Sequence, residues 1–302
     1  MQDIRAFRRF FNDHLHSKLI RFERQRFLLI LQIVGGISLL GIGTLWVMYI
    51  ELAALFLFLP IPYWLFYEYI RRQIKLFKRS FKPLVVEAIL EFIDPRLKYY
   101  AEEYISYDTF NRSSIFPVEP AIYRGEDYIT GKIGEVAFEM CELHIAHPSF
   151  IRARLQKLFE GVFFHAKFNF NSKGRIVIIP RKRWQRFIKT MKNITRYGGY
   201  EILKTGNTVF DDEFLVYADP NVHFKEVLTP NLMKTINDYH INSGKEVYAS
   251  FVDSHFFMAI AEPYQLLDAH IFASNVNFEL ITAYYEELYV FTSLVEDFDI
   301  MH

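Results

Sequence analysis

Two long apolar runs near the N-terminus dominate the hydrophobic pattern of the chain. The first, FLLILQIVGGISLLGIGTLWVMYI, covers residues 27–50 without a charged residue. A bilayer core about 30 Å thick needs about 20 apolar residues in a helix, so this run is long enough to span a membrane. It is too long for the apolar part of a cleavable signal peptide, and no cleavage site of small residues precedes the next run. We therefore predict a transmembrane helix over residues 27–50.

The second apolar run, residues 52–70, predicts a return pass through the membrane. Its uncharged core, Leu52 to Tyr67, has 16 residues, which is near the lower limit for spanning. Aromatic residues cluster at its far end, as they do in the headgroup belt of membrane proteins. They are Tyr63, Trp64, Tyr67 and Tyr69. The alternative is a re-entrant or interfacial segment that follows a single spanning helix.

Glu51 is the one charged residue between the two runs. A carboxylate at the bilayer centre costs several kcal/mol. It would have no cationic partner there, because no Lys or Arg lies between residues 27 and 70. At the tip of a hairpin the same carboxylate is hydrated. We therefore predict that Glu51 marks the turn of a two-helix transmembrane hairpin.

Basic residues flank the hairpin and predict its orientation. Residues 1–82 hold 13 Lys or Arg and 5 Asp or Glu, which leaves 22 and 30 for the rest of the chain. Short basic segments next to membrane helices stay on the cytoplasmic side. We therefore expect a multi-pass protein with both termini, and the large C-terminal part, in the cytoplasm. The single cysteine, Cys141, agrees with a reducing compartment.

Residues 1–26 predict a basic amphipathic helix with two uses for its apolar face. That face carries Ile4, Phe7, Phe11, Leu15 and Phe22. The helix could lie on an anionic leaflet, or pack on residues 70–84, whose apolar residues recur at the spacing of a helix–helix seam. We favour packing. Since the membrane topology already explains the basic cluster, nucleic-acid binding is not predicted.

The rest of the chain predicts an α+β domain with an antiparallel sheet and flanking helices. A helical connector, including a helix over residues 97–105, is expected to cover residues 71–115, with Pro83 in the first turn of a helix. A cytoplasmic domain is expected over residues 116–302. Alternating strands from about residue 128 include one hairpin over residues 161–180 and another over residues 246–261. Because such pairs are antiparallel, the expected class is α+β.

Local signals define two shorter elements of this domain. Thr229, Pro230 and Gly244 predict the cap, first turn and end of a compact helix. Ser106 predicts the cap of a short turn.

The strongest metal candidate in the sequence is CELHIAHP, with Cys141, His144 and His147. On a strand, positions 144 and 147 point to opposite faces, and no second pair of ligands accompanies them. His165 and His255 lie in strand-like runs and are interpreted as packing or edge residues. No glycine-rich phosphate loop or nucleophile elbow is present. We therefore predict no catalytic residue, no cofactor and no metal ligand.

A basic amphipathic stretch, PRKRWQRFIKTMKNITR, is the candidate contact surface of the domain. Its cations would meet either the inner leaflet or an acidic partner protein. They are Arg181, Lys182, Arg183, Arg186, Lys189 and Lys192. The alternative is that the apolar face packs on the sheet and the cations are only solvated.

The order of these pieces resembles a bacterial two-pass membrane-protein family, domain-of-unknown-function family 3137. The matching stretches run from about residue 25 onward and include GEDYITGKIGEVAFEMCELHI (residues 125–145), LFEGVFFHAKFN (158–169) and DEFLVYADPNVHFKEVLTPNLM (212–233). The resemblance implies a bacterial inner (plasma) membrane location. It implies no activity, cofactor or active site. A LemA-like membrane protein is the partner that it suggests.

Two functions follow as hypotheses. The first is a membrane-anchored, non-catalytic domain that binds a membrane or cytoplasmic protein. The second is a membrane-anchored enzyme that acts on a lipid or a membrane-associated substrate. Transport is disfavoured, because Glu68 is the one other ionisable group near the membrane interior. A homo-oligomer that packs through the glycine-rich first helix remains an alternative.

Overall fold

The computed structural model describes residues 4–50, 57–116, 119–148, 155–168, 171–182, 201–220, 222–261 and 269–300. The chain divides into two compact units. The first comprises Met1–Pro95 and Leu266–Glu287, and the second comprises Arg96–Gln265 and Leu288–His302.

The first unit is helical. Helix α1 (Ile4–Phe10), a π-helical turn (Phe11–Leu15) and helix α2 (His16–Tyr49) form one continuous rod. Helix α3 runs from Pro60 to Ile93 without a break. Pro83 therefore lies inside a helix and does not begin one, contrary to the prediction from its position.

Helices α2 and α3 pack against each other in opposite directions. Near the start of α2, the Phe22 ring stacks on Phe77 with centroids 4.2 Å apart. Near its end, the hydroxyl of Thr44 lies 2.7 Å from that of Tyr63. Between these contacts, a Cβ atom added to Gly36 would overlap the Phe66 ring. A glycine at this position therefore lets the two helices approach closely.

The apolar face of residues 1–26 is buried within this unit. Phe7 and Leu15 are fully buried, and the Phe7 ring stacks on Tyr285 at 4.2 Å. Tyr285 belongs to helix α8 (Phe278–Ile300), whose first half is part of this unit. Packing on residues 70–84 is confirmed for Phe22, which contacts Phe77 and Phe81, whereas Phe7 packs against Tyr285 and Ile4 remains exposed.

Charged residues on the next turns of α2 hold the segment before α8. Glu23 Oε1 accepts a hydrogen bond of 2.6 Å from the backbone N–H of Asn275. Arg26 donates to Glu23 at 2.7 Å and to the carbonyl of Ile271 at 2.9 Å. These bonds lower the pKa of Glu23 below its ordinary value, although burial acts in the opposite direction.

Among the described residues, one helix is long and apolar enough to cross a membrane. It is Ile4–Tyr49. Large apolar side chains in its second half are exposed, including Leu39 (72%), Ile42 (68%) and Trp46 (63%). The described part of the second apolar run, from residue 57 onward, also carries exposed aromatic residues, such as Trp64.

The second unit is built on one antiparallel sheet, as the α+β class predicts. The strands pair in the order β1-β2-β3-β4-β9-β8-β5-β7-β6. Their bounds are β1 Lys98–Tyr100, β2 Ile122–Ile133, β3 Val136–Pro148, β4 Leu155–Lys167, β5 Arg175–Pro180, β6 Glu201–Leu203, β7 Phe214–Ala218, β8 Glu246–Val252 and β9 His255–Ala261.

Short helices connect these strands. Those in the described residues include α4 Tyr107–Arg112, α5 Thr208–Glu213, α6 Phe224–Val227 and α7 Pro230–Ser243. The predicted caps are confirmed. Thr229 accepts from the N–H of Leu232, Gly244 ends α7 with φ of 65°, and Ser106 accepts from the N–H of Thr109.

A core of aromatic and aliphatic side chains lies on one face of the sheet. Helix α4 and the residues around it cover this face, with Phe110, Ile115 and Phe116 buried against strand residues such as Phe163 and Phe257. On the other face, Phe164 stacks on Phe291 of α8. Both faces of the central strands are covered, so β8 and β9 read as nearly continuous apolar runs.

Two predictions about local structure are wrong. Strands β4 and β5 do not pair, because the β8–β9 hairpin lies between them in the sheet. The segment from β4 to β5 follows the turn of that hairpin, where Phe168 donates to the carbonyl of Ser254. Residues 97–105 do not form a helix either. Lys98–Tyr100 pair with β2 as an edge strand, since this pairing satisfies backbone groups that a short isolated helix would leave exposed.

Candidate functional site

The candidate site lies where strands β3, β4 and β9 run side by side. The register places Glu139 of β3 directly opposite His165 of β4, and His165 opposite Phe257 of β9. Lys167 of β4 is opposite His255 of β9. Residues directly opposite each other in an antiparallel pair, and residues two apart on one strand, share a face of the sheet. The polar side chains therefore converge at one end of the face that α4 covers.

A continuous chain of hydrogen bonds joins five side chains of this site. The Tyr128 hydroxyl donates to Glu139 Oε2 at 2.6 Å. Glu139 Oε1 lies 2.8 Å from His165 Nδ1, and His165 Nε2 lies 2.8 Å from His255 Nδ1. Arg112, the last residue of α4, reaches His255 Nε2 with Nη1 at 3.3 Å. We call these five residues the histidine relay.

An aromatic ring fixes the orientation of the two imidazoles. The Phe257 ring stacks on His165 with centroids 4.7 Å apart and an interplanar angle of 14°. The rings of His165 and His255 are stacked as well, at 5.0 Å. Phe257 is fully buried, whereas the His165 side chain is 14% exposed. The relay thus stands at the border between the core and solvent.

The carboxylate end of the relay is ionised at neutral pH. Burial raises the pKa of Glu139, but the hydrogen bonds from His165 and Tyr128 and the electrostatic interaction with the two imidazoles outweigh it, so its pKa lies below the ordinary value. Burial and the bond to Glu139 raise the pKa of Tyr128. Tyr128 therefore stays protonated and acts as a donor.

The other end of the relay is electropositive. Burial lowers the pKa of His255, and its electrostatic interactions with His165, Arg112 and Lys167 lower it further. Asp253, in the turn between β8 and β9, acts in the opposite direction. His255 is accordingly neutral at neutral pH.

Three acidic side chains form a second cluster nearby on β2 and β3. Oxygen atoms of Glu126, Asp127 and Glu142 lie within 4.8 Å of one another, the one such group of potential metal ligands among the described residues. Asp127 has φ of 61° at an irregularity of the β2–β3 register. Its Oδ1 accepts a 2.5 Å hydrogen bond from Tyr99, whose pKa is raised by burial and by that carboxylate. The bond indicates a structural role for Asp127.

The structure does not bring the three residues of CELHIAHP together. Cys141 is buried, and its Sγ lies 3.3 Å from the backbone N of Ile105, while burial raises the pKa of its thiol. His144 is half exposed and lies 3.7 Å from Glu160. His147 is buried at 5% exposure. The three side chains therefore have different surroundings.

Most of the predicted contact residues lie outside the described residues. Of the six cations, Arg183, Arg186, Lys189 and Lys192 fall there, and so does the predicted hairpin turn at Glu51. Arg181 donates to the carbonyl of Asp211. Lys182 is exposed and lies 3.6 Å from Glu213. Both described cations thus contact the segment around α5.

Sequence reasoning missed the histidine relay. His165 and His255 are 90 positions apart, and each was interpreted as a packing or edge residue. Glu139 lies two residues before Cys141 in the sequence, and the pattern assigned it no role of its own. The sequences HAK in β4 and HFF in β9 are ordinary for strands. Recognition of the histidine pair would have required knowledge that β4 pairs with β9.

Comparison with known proteins finds one family model that matches part of the chain. The model of a protein family of unknown function, DUF3137, matches residues 157–300. No curated protein matches the chain in sequence. A solved structure, that of the mycobacterial trehalose monomycolate transport factor A, TtfA, aligns with 69% of this chain and 96% of its own, at 9% identity and a TM-score of 0.34. A likeness at that level supports no conclusion about this protein. The resemblance noted in the sequence is confirmed over residues 157–300, where the model of the family of unknown function DUF3137 matches.

Proposed function

We propose that the protein is a two-pass membrane protein whose α+β domain lies in the cytoplasm and acts by binding another protein. The exposed apolar surface of Ile4–Tyr49 carries the proposal. The core helix of a soluble protein buries such side chains, whereas Leu39, Ile42 and Trp46 have no protein cover within the described residues. Lipid is the surrounding that suits them.

The second pass is supported by the contacts between α2 and α3. The close approach at Gly36 and the Thr44–Tyr63 hydroxyl contact are interactions that hold helices together in lipid. Glu51, which lies outside the described residues, is the proposed hydrated tip of the hairpin. At the other end, Glu68 pairs with Arg71 at 3.2 Å, where the chain returns to basic sequence. The basic flanks support cytoplasmic termini, and the family resemblance supports a bacterial inner-membrane location.

Carbonate extraction of membranes tests the anchor. We expect the protein to stay in the membrane pellet and to be released by detergent. A variant with Gly36→Leu should remain in the pellet but lose the contact between the helices, and so become less stable to heat in detergent. Release of the wild-type chain by carbonate would refute the anchor.

Exposed tyrosines and acids at one edge of the sheet support partner binding. Tyr100 and Tyr104 are about two-fifths exposed, at 40% and 42%. Tyr104 packs edge-on against Tyr123. Glu102 and Glu103 are exposed beside it. Tyrosine contributes large contact area at little entropic cost, and the acids favour a partner with a basic surface. We call this set the tyrosine edge.

Co-purification with a co-expressed LemA-like membrane protein tests the partner. In mild detergent, with and without cross-linker, we expect the wild-type chain to retain the partner and the double variant Tyr104→Ser, Glu103→Lys to lose it. Glu135→Lys is the control, because this exposed acid makes the same charge change in the β2–β3 turn. If the wild-type chain elutes alone under varied cross-linking, this partner is wrong.

The histidine relay favours a second candidate, an enzyme that acts on a lipid or a membrane-associated substrate. A carboxylate that orients an imidazole is an arrangement that general bases use. Lipid profiles of a deletion strain complemented with wild type or with His255→Gln distinguish the two. If the protein is an enzyme, the strain with His255→Gln should have the same lipid profile as the deletion strain. If it acts by partner binding, the wild type and the variant should both restore the profile.

A further inference from the structure

The two ends of the histidine relay fix the position of every proton in it. Arg112 only donates hydrogen bonds, and the ionised Glu139 only accepts them. His255 Nε2 must therefore accept from Arg112, so His255 carries its proton on Nδ1 and donates to His165 Nε2. His165 in turn carries its proton on Nδ1 and donates to Glu139. Both imidazoles are neutral in this arrangement, and every donor has an acceptor.

One added proton is incompatible with the contact between Arg112 and His255. The singly protonated pair carries three protons on four ring nitrogens. Glu139 holds one of them on His165 Nδ1, and the short contact between the rings holds a second. The third must then reside on His255 Nε2, which becomes a donor that faces the Arg112 guanidinium at 3.3 Å. The N–H donors of His255 and Arg112 then face each other across one gap, and this contact lacks an acceptor.

The gap has the charge of an anion site. Lys167 is cross-strand from His255 and is exposed, as is Arg112, so both cations are open to solvent. The groups that face His255 are His165 and Lys167 on β4, Arg112 on α4 and Asp253 in its own turn, while Glu139 and Tyr128 lie behind His165. Cations predominate on the solvent side, and Asp253 is the one acid among these groups there.

We propose that an oxyanion binds between His255 Nε2, Arg112 and Lys167, and that each anion bound brings one proton to the His165–His255 pair. A phosphate-type group has several acceptor oxygens and accepts short, charge-assisted bonds from both donors of the gap. The lowered pKa of His255 keeps its imidazole neutral while the site is empty, and the charge of the anion raises that pKa on binding. No bond is made or broken beyond the proton transfer from solvent. The proposal does not depend on the partner or on the membrane topology.

Calorimetric titration of the full chain with sulfate tests the site. Sulfate is a suitable probe because its charge stays constant across the neutral range. We expect uptake of close to one proton per sulfate, measured in two buffers of different ionisation enthalpy. Above the pKa of the pair, one coupled proton weakens binding about tenfold for each pH unit.

Matched variants assign the effect to the relay. Arg112→Gln should weaken sulfate binding at least tenfold, and His255→Gln should abolish the proton uptake. Lys157→Gln makes the same charge change at the other end of β4, and His144→Gln removes an exposed histidine of β3. Both controls should bind sulfate as the wild type does. Since Arg112 is exposed, its substitution leaves the core intact.

The source of the anion is decided by repeating the titration in phosphatidylcholine nanodiscs with and without phosphatidic acid. Weaker sulfate binding in the presence of phosphatidic acid identifies a lipid headgroup, and unchanged binding identifies a free anion. Both results support the site. It is overturned if the wild type takes up no proton with sulfate, if sulfate does not bind, or if Arg112→Gln binds as well as the wild type.

Discussion

Replacement of Glu139 by glutamine perturbs the one group that accepts from two donors in the histidine relay. The carboxylate takes bonds of 2.6 Å from Tyr128 and 2.8 Å from His165. The amide that replaces it has one acceptor oxygen, and its NH2 group faces the second donor. Glu139→Gln therefore loses one bond and the charge that strengthens the other.

The size of the effect follows from these two bonds. Hydrogen bonds to a charged group contribute about 1.5–3 kcal/mol each, and the remaining neutral bond contributes about 1 kcal/mol. A buried amide costs less to desolvate than a carboxylate, which offsets part of the loss. We expect the free energy of unfolding to fall by about 2–3 kcal/mol relative to wild type. Glu160→Gln is the matched control, because Glu160 pairs with Lys157 at the surface, where such a pair contributes at most about 1 kcal/mol.

Equilibrium unfolding in urea of the full chain in mild detergent, followed by near-ultraviolet circular dichroism, measures the difference. The pKa of Glu139 is lowered on folding, so its contribution is complete above the unfolded-state pKa and is lost as the pH falls through the folded-state value. The gap between wild type and Glu139→Gln should therefore be full at neutral pH and close under acid conditions. An effect of Glu139→Gln no larger than that of Glu160→Gln, or one that persists unchanged in acid, would refute the assignment.

Three further predictions concern Phe22, Cys141 and His255. Phe22→Ala should lower the free energy of unfolding by about 3–5 kcal/mol, because Phe22 is buried against Phe77; Phe27→Ala, at a site 63% exposed, should change thermal unfolding in detergent little. Cys141 should not react with maleimide until urea unfolds the protein, because the thiol is buried and its pKa is raised; rapid labelling of the folded chain would contradict its burial. The lowered pKa of His255 implies stability that is complete above the unfolded-state value of about 6.5 and is lost as the pH falls through the folded-state value. In thermal unfolding without sulfate, His255→Gln should reduce this loss of stability in acid. A pH profile of stability identical to that of the wild type would contradict the prediction.

Elements specified by neighbouring residues were predictable from the sequence. The helix Pro230–Ser243 has its cap, its proline and its terminal glycine within or directly beside it, and the β8–β9 hairpin has a two-residue turn. Both depend on local hydrogen bonds and backbone conformation. The apolar face of residues 1–26 was equally predictable, because the spacing of Phe7, Phe11, Leu15 and Phe22 is that of one helical face.

Pairing between distant segments could not be predicted in the same way. The β8–β9 hairpin lies between β4 and β5, which are adjacent in sequence, and nothing in either strand distinguishes this arrangement from direct pairing. The histidine relay is a consequence of that insertion, since His165 meets His255 only because β4 pairs with β9. Within residues 97–105, Lys98–Tyr100 likewise form an edge strand, because β2 offers backbone partners at that position. A sequence without aligned relatives carries no signal for such contacts.

Cysteine labelling of intact cells tests the membrane topology most directly. Cys141 is buried, so single cysteines placed at Glu51→Cys and Lys132→Cys report on the predicted hairpin tip and on the exposed β2–β3 end of the domain. With a membrane-impermeant maleimide, we expect Glu51→Cys to be labelled on intact cells and Lys132→Cys to be labelled only after permeabilisation. Labelling of Lys132→Cys on intact cells, or protection of Glu51→Cys there, would contradict a two-pass protein with a cytoplasmic domain.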